Sequence, residues 1–283
     1  MTKKILVKKQ SGEKQPFSAK KLTDSLQRAG TPPDIAHWVV GEIIPKLHDG
    51  IPTKTIYRMA FGLLRRKMRA LAARYSLKSA IMELGPTGYP FEKFVGEIFR
   101  KRGFSAETGI TMEGKCVFHE VDVKATKNLL TILVECKYRN EPSKISGVQV
   151  PLYVNSRFLD IVAKLRELHP ESNQHFEGWI VTNTRFSSDA EAFGTCAGLH
   201  LVSWSFPEKE NLRELVERYA LFPVTALTSL TKKQKQQLLE KGIILADHVV
   251  QQREVLKILR ITTKKEQSVF EEASTLSAIG KIL

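Results

Sequence analysis

The stretches His119-Glu120-Val121-Asp122-Val123 and Val134-Glu135-Cys136-Lys137-Tyr138 decide the fold. Side chains alternate between the two faces of a strand, so Glu135 and Lys137 share one face and Cys136 takes the other. The intervening Lys124-Ala125-Thr126-Lys127-Asn128 is short, polar and turn-like, and it predicts a hairpin that sets Asp122 beside Glu135. Leu129, Leu130, Ile132, Leu133 and Val134 lead straight into Glu135. That places charges at the rim of a core, where they need a partner or a task. Two carboxylates on neighbouring strands can hold a hard divalent cation through oxygen, with an ammonium one strand step away. Metal-assisted phosphodiester hydrolysis needs this set. A lone Glu-x-Lys is more often a solvent-facing edge pair; the apolar flank and the register of Asp122 favour the functional reading.

These residues resemble the catalytic core of the PD-(D/E)xK nucleases, specifically the Mrr-type restriction endonuclease family. Residues 88–104, from Gly88-Tyr89-Pro90-Phe91-Glu92 to Arg102-Gly103-Phe104, are similar to that family's opening helix and its exit turn. Gly178-Trp179-Ile180-Val181-Thr182-Asn183-Thr184-Arg185-Phe186-Ser187 is similar to its fourth core strand and the start of the next helix, and Leu199 to Trp204 to its closing strand. The resemblance implies an α/β fold with a restriction-endonuclease-like α-β-β-β-α-β core acting on DNA. It implies Mg²⁺ held by Asp122, Glu135 and the backbone carbonyl of Cys136, with Lys137 orienting or deprotonating the attacking water. Glu92 matches the helix glutamate that completes the metal site in many members; Glu97 is its competitor. Gln149-Val150-Pro151-Leu152-Tyr153 is similar to a glutamine-x-x-x-tyrosine element, whose spacing sets Gln149 and Tyr153 on one helix face. An ordinary helix surface is an equal reading there. His119 and Glu120 read equally as strand-edge residues or as ligands.

At 283 residues the chain is long enough for two or three domains, each with its own core. Cys116, Cys136 and Cys196 have neither zinc-site nor disulfide spacing, which suggests a reducing compartment. No run approaches the roughly 20 apolar residues of a spanning helix, and the N-terminus lacks a signal-peptide core. A soluble, cytoplasmic protein with no membrane partner is expected. The net charge of +14 is unevenly placed: residues 1–85 carry 17 Lys/Arg against 6 Asp/Glu, the rest 27 against 24. Such an excess attracts polyanions, and most of it lies outside the nuclease-like core.

Within the basic region, Ile5 to Lys9 reads as a strand, Gly12 as a turn, and a helix follows, capped by Ser18 and stopped at Gly30. Helical patterns then run from Pro33 to Leu47 and from Thr53 to about Leu84, the second broken near Ala70–Arg74. This arrangement resembles the ATP-cone, the mostly helical nucleotide-sensing module of ribonucleotide reductases and their repressor. Val7-Lys8-Lys9 with Gly12, Lys21, and Gly50-Ile51-Pro52-Thr53 carry the likeness; Lys78 matches a basic residue of the phosphate site. ATP or dATP at Val7, Lys9, Lys21, Thr53 and Lys78 is therefore implied as a regulatory ligand, and cone families associate, which leaves room for a homo-oligomer. The chain departs from the family at Gln10-Ser11, where arginine and aspartate are common. No Walker-type glycine loop is present, so a motor ATPase is not expected. The run Arg65-Arg66-Lys67-Met68-Arg69, continuing to Arg74 and Lys78, reads equally as a solvated helix face or as a contact for nucleic-acid backbone or nucleotide phosphates.

After Trp204 the chain turns helical, over Asn211–Tyr219, Lys232–Lys241 and Ile244 to about Leu259, with residues 263–283 polar and partly mobile. Leu227 to Ile244 faintly resembles a helix-hairpin-helix module, although a helical cap on the sheet reads slightly better. The expected organisation is an ATP-cone over 1–85, a nuclease domain over 86–207 and a helical C-terminal region over 208–283. It predicts a Mg²⁺-dependent DNA endonuclease sensing nucleotide; the alternative is a catalytically silent, nucleotide-responsive DNA-binding or regulatory protein.

Overall fold

In the computed structural model, which describes residues 5–9, 11–171 and 173–279, the chain divides into two units, Met1–Leu77 and Lys78–Leu283. Gln10, expected in the first turn, and residues 280–283 of the expected polar tail lie outside the described residues.

In the first unit β1 (Leu6–Lys8) pairs antiparallel with β2 (Lys14–Pro16) and parallel with β3 (Ile51–Pro52). Helices α1 (Ala19–Arg28), α2 (Pro33–Ile43), α3 (Thr53–Lys67) and α4 (Arg69–Tyr75) supply most of the core, including Leu22, Leu26, Val40, Ile43, Ile56 and Leu64. Ser18 caps α1, its Oγ accepting from the Lys21 amide at 3.2 Å, and Gly30 leaves it with φ +77°, a conformation that suits glycine. The long helix expected after Thr53 breaks at Met68 (φ −156°), two residues before the expected point, and again at Ser76. Burial explains the first break. The extended Met68 lets Arg65 to Arg69 stay exposed while Ala70, Leu71, Ala72 and Ala73 enter the core.

Helix α5 (Leu77–Ile81) begins at the boundary residue, and α6 (Tyr89–Lys101) opens the second unit's α/β core. A five-stranded sheet follows, in the order β10 (His200–Val202), β8 (His175–Thr182), β6 (Leu130–Lys137), β5 (Phe118–Lys127), β4 (Ser105–Glu113). Strands β4, β5 and β6 are antiparallel neighbours, whereas β8 and β10 run parallel to β6. Helix α7 (Gln149–Leu168) supplies the crossover between β6 and β8, and α8 (Ser188–Cys196) that between β8 and β10. The short pair β7 (Ile145–Ser146) and β9 (Arg185–Phe186) stands apart. Ile180 of β8 packs with α7 and α8, while its neighbour Trp179 meets Phe99 of α6 edge-on at 5.4 Å, so helices cover both faces.

The turn expected over Lys124–Asn128 is strand instead. Strand β5 continues to the rung Lys127↔Leu130, and only Asn128 and Leu129 turn, Asn128 at φ 53°. Buried Val123 and Ala125 prolong the two-residue alternation, and asparagine tolerates the left-handed conformation that a tight hairpin demands. At the other end the ladder stops at Val123↔Val134, so Asp122 and Glu135 flank the point where the strands part. Just beyond β6, Asn183 stands in for missing ladder bonds. Its amide oxygen accepts from the Arg139 N–H at 2.8 Å and its nitrogen donates to the Arg139 carbonyl at 2.8 Å.

The second unit continues through α9 (Leu212–Arg218), α10 (Lys232–Glu240), α11 (Ala246–Gln251) and α12 (Thr263–Ile279). The helix expected from Ile244 to Leu259 is divided: Val224 and Ala246 donate to Ile244 and Phe222 across a Pro223↔Leu245 bridge, which holds the segment extended before α11. At the glycine turn after α10, the amides of Gly242 and Ile243 donate back to Leu239 and Leu238. The polar tail forms α12 and buries Val269, Ala273 and Leu276. Glu272, 4 % exposed, accepts from the backbone amides and hydroxyls of Thr228 and Ser229 at 2.5–2.9 Å. Replacing Glu272 by Ala would strand those donors; the variant is expected to lose about 3 kcal/mol in urea unfolding of the full chain.

Candidate functional site

Where β5 leaves β6, a carboxylate replaces a ladder carbonyl: Asp122 Oδ2 accepts from the Cys136 N–H at 2.6 Å. The adjoining Glu135 is 7 % exposed and fully committed. Its Oε1 accepts from Lys137 Nζ at 2.5 Å and from the Tyr153 hydroxyl at 2.9 Å, and its Oε2 from Arg157 Nη1 at 2.6 Å. Arg157 also donates to the Glu120 carbonyl at 3.2 Å, so one guanidinium ties α7 to β5 and β6. Lys137 and Arg157 each lie 5.4 Å from the Tyr153 ring centroid.

Electrostatics separates these carboxylates. Burial pushes Glu92 of α6 up to about 7, helped by Asp122, Glu120 and Glu135. Burial, with Glu135 beside it, raises Asp122 to about 6 despite the Cys136 amide and two nearby cations. Burial works to lower the Lys137 pKa, yet its bonds to Glu135 and Tyr153 outweigh it and hold the ammonium above the usual lysine value. A lysine so held favours its charged form, which suits orienting water and balancing negative charge. The Cys136 thiol is pushed well up by burial and the carboxylates around it, leaving it neutral. Glu97 pairs with Arg100 at 2.7 Å, away from this cluster. Gln149 is exposed in the first turn of α7, its side-chain oxygen folded back over Gly147. His119 binds Asp160 at 2.7 Å, a contact that fastens the β4–β5 loop to α7. Arg157 escaped the sequence reading, although Gln149, Tyr153 and Arg157 recur every four residues along one helix face.

In the first unit, Val7, Lys21 and Thr53 line one cavity of about 170 Å³ together with Ser25, Tyr57 and Tyr75. The two tyrosine rings stack at 5.0 Å, and burial pushes the Tyr75 phenol up to about 12. Lys9 does not line this cavity; it pairs with Glu13 at 2.9 Å. Lys78 belongs to the second unit, where its ammonium lies 5.7 Å from the Trp204 ring and its pKa is lowered by burial and by Arg185.

An uncharacterized protein of Archaeoglobus fulgidus is 32 % identical over 180 residues, which span 63 % of this chain and 97 % of that protein. The chain belongs to the AF1548-like family. Residues 222–277 match the domain described as AF1548-like, C-terminal, and residues 5–81 match the ATP cone domain. The crystal structure of the protein of unknown function AF1548 is 31 % identical, covers 69 % of this chain and 100 % of its own, and superposes with a TM-score of 0.55. MspJI restriction endonuclease, solved with a 27-mer oligonucleotide, reaches 17 % identity over 47 % of this chain and 29 % of its own, with a TM-score of 0.28. The ATP cone of this AF1548-like chain implies a nucleotide ligand, and among the described residues no helix is long and apolar enough to cross a membrane.

Ionising Asp122 costs this AF1548-like fold free energy, because its pKa rises from 3.8 to about 6 on folding. The cost grows as pH climbs through that window and is complete above it. Asp122→Asn keeps an acceptor for the Cys136 amide and removes the cost. The variant is expected to melt about 3 °C above the wild type at pH 8, with the gap narrowing below pH 6 and closing near pH 4 in differential scanning calorimetry.

Proposed function

We propose that this protein is a metal-dependent endonuclease of Mrr type that cuts DNA and reads nucleotide through its cone. The observation that carries this reading is the convergence of Glu92, Asp122, Glu135 and Lys137 from three elements at the parting of β5 and β6. Carboxylates held up to about 7 and about 6 by burial and mutual repulsion occupy a place where a cation would lower the free energy. Their oxygen donors, with the Cys136 carbonyl, suit Mg²⁺. Mg²⁺, when bound, supplies the charge that polarises a phosphate oxygen and acidifies water. Lys137, kept protonated, orients the attacking water and offsets charge gathering on the phosphorus oxygens. Tyr153 holds Lys137 and Glu135 in place, and Arg157 offers a second fixed cation beside the phosphate.

In the cone, Lys21 and the N-terminus of α3 at Thr53 meet the triphosphate, while the stacked Tyr57 and Tyr75 wall the cavity for the base. ATP or dATP acts there as a signal. Coupling between cone and core rests on the two modules sharing one chain.

One observation favours a second, non-catalytic reading as a nucleotide-responsive DNA-binding protein. Both Glu135 oxygens are already taken by cations and Tyr153, and among the described residues no group of three or more His, Cys, Asp or Glu lies close enough to hold an ion.

Cleavage of supercoiled plasmid with Mg²⁺ separates the two. The nuclease reading expects nicking or linearisation that falls by about 100-fold or more in Asp122→Ala and changes with ATP. Binding of plasmid with no cutting at any nucleotide or metal concentration would leave the regulatory reading. Lys21→Ala is expected to weaken ATP binding about tenfold by calorimetry, with the fold unchanged by circular dichroism.

A further inference from the structure

The basic run from Arg65 to Lys78 divides into three environments. Lys78 sits against Trp204 in the second unit. Arg74 turns inward over Gly30, with its Nε buried. Arg65, Arg66, Lys67 and Arg69 stay exposed at the bend between α3 and α4, where with Gly62 they line a concavity of about 680 Å³. Among the described residues no acidic side chain lines it. The nucleotide cavity is elsewhere: Thr53 begins α3 and Arg65 lies near its end, about 18 Å along the axis, and the two cavities share no residue. Apolar groups flank the cations. Met68 is 50 % exposed in the middle of the run, and Trp38 of α2 is 37 % exposed with Lys67 Nζ 5.2 Å from its ring centroid.

Exposed cations in a row, with an aromatic ring at their edge, are the elements of a single-strand platform: phosphates meet the charges and a base stacks on the ring. We propose that the α3–α4 concavity binds the phosphodiester backbone of single-stranded nucleic acid through Arg65, Arg66, Lys67 and Arg69, with a base against Trp38. This binding goes beyond the carboxylate site and does not depend on whether that site cuts. Arg65, Arg66 and Lys67 lie in the last turn of α3, whose C-terminus carries partial negative charge that favours them.

The test uses the full chain in EDTA, where no metal-dependent cutting interferes. Fluorescein-labelled oligo-dT and oligo-U of equal length, and a duplex of that length, are titrated by anisotropy across a salt series. Arg65→Gln/Arg66→Gln is expected to weaken single-strand binding at least tenfold and to flatten the slope of log K against log salt by about 1.4, for two lost phosphate contacts. Trp38→Leu is expected to weaken the single strands several-fold and leave the duplex unchanged. Titration of oligo-dU, which differs from oligo-U only in the sugar, shows which sugar is preferred. ATP binding at the cone cavity, unchanged in all variants, verifies the fold. Unchanged affinity and salt slope in Arg65→Gln/Arg66→Gln would overturn the proposal, as would equal competition by polyglutamate, which would make the occupant an acidic protein. A chain that binds through Arg65 and Arg66 but never cuts plasmid would defeat the nuclease reading alone; one that cuts while binding ignores these substitutions would defeat this inference alone.

Discussion

A carboxylate carried into the interior by its own strand must be neutralised there, and Glu135 sets this demand on the second unit. The apolar run from Leu130 to Val134 places the next residue at 7 % exposure, where an unpaired carboxylate would cost several kcal/mol, of the order seen for buried ions. Three partners answer it. Lys137 comes from the same strand face, and Tyr153 and Arg157 come from successive turns of α7. Their need to reach one carboxylate fixes how α7 is rotated over the sheet. Arg157 then reaches past Glu135 to the Glu120 carbonyl, which holds β5 near β6 after the ladder has stopped.

The neighbouring acids are in the opposite condition. Asp122 has one strong donor, the Cys136 amide, and Glu92 has no comparable bond among those described; burial and mutual repulsion raise both. The cluster therefore combines a satisfied carboxylate with two whose burial and mutual repulsion outweigh the nearby cations. That imbalance explains why the same geometry supports a metal-dependent reading and also a quiet, neutralised one. Lys137 is favoured as a cation there by its bonds to Glu135 and Tyr153.

How much of this was legible in the sequence differs from element to element. The opening helix, the Glu-x-Lys strand and the Ser18 cap could be read because each depends on local pattern or on spacing within one element. The hairpin turn was misplaced because Lys124 and Thr126 look like loop residues, although Val123 and Ala125 between them are buried strand. The polar tail folds as α12 because Glu272 finds four donors in the Thr228–Ser229 loop, more than forty residues away in the chain. The contacts of Lys9 with Glu13 and of Lys78 with Trp204 could not be read from the cone motif, because a motif names residue types and leaves their partners open.

By itself the sequence determined which segments alternate, which are amphipathic, and where the charges fall, because periodicity and capping are properties of neighbouring residues. It thereby determined an α/β core preceded along the chain by a basic, mostly helical cone. Only the tertiary structure decided that Arg157 clamps Glu135, that Asp122 takes a backbone amide, and that the basic run from Arg65 to Lys78 serves three separate environments. Those outcomes depend on burial and on donors brought from distant segments. Pairing energy in a low-dielectric interior is a property of the assembled fold and of no single stretch of chain.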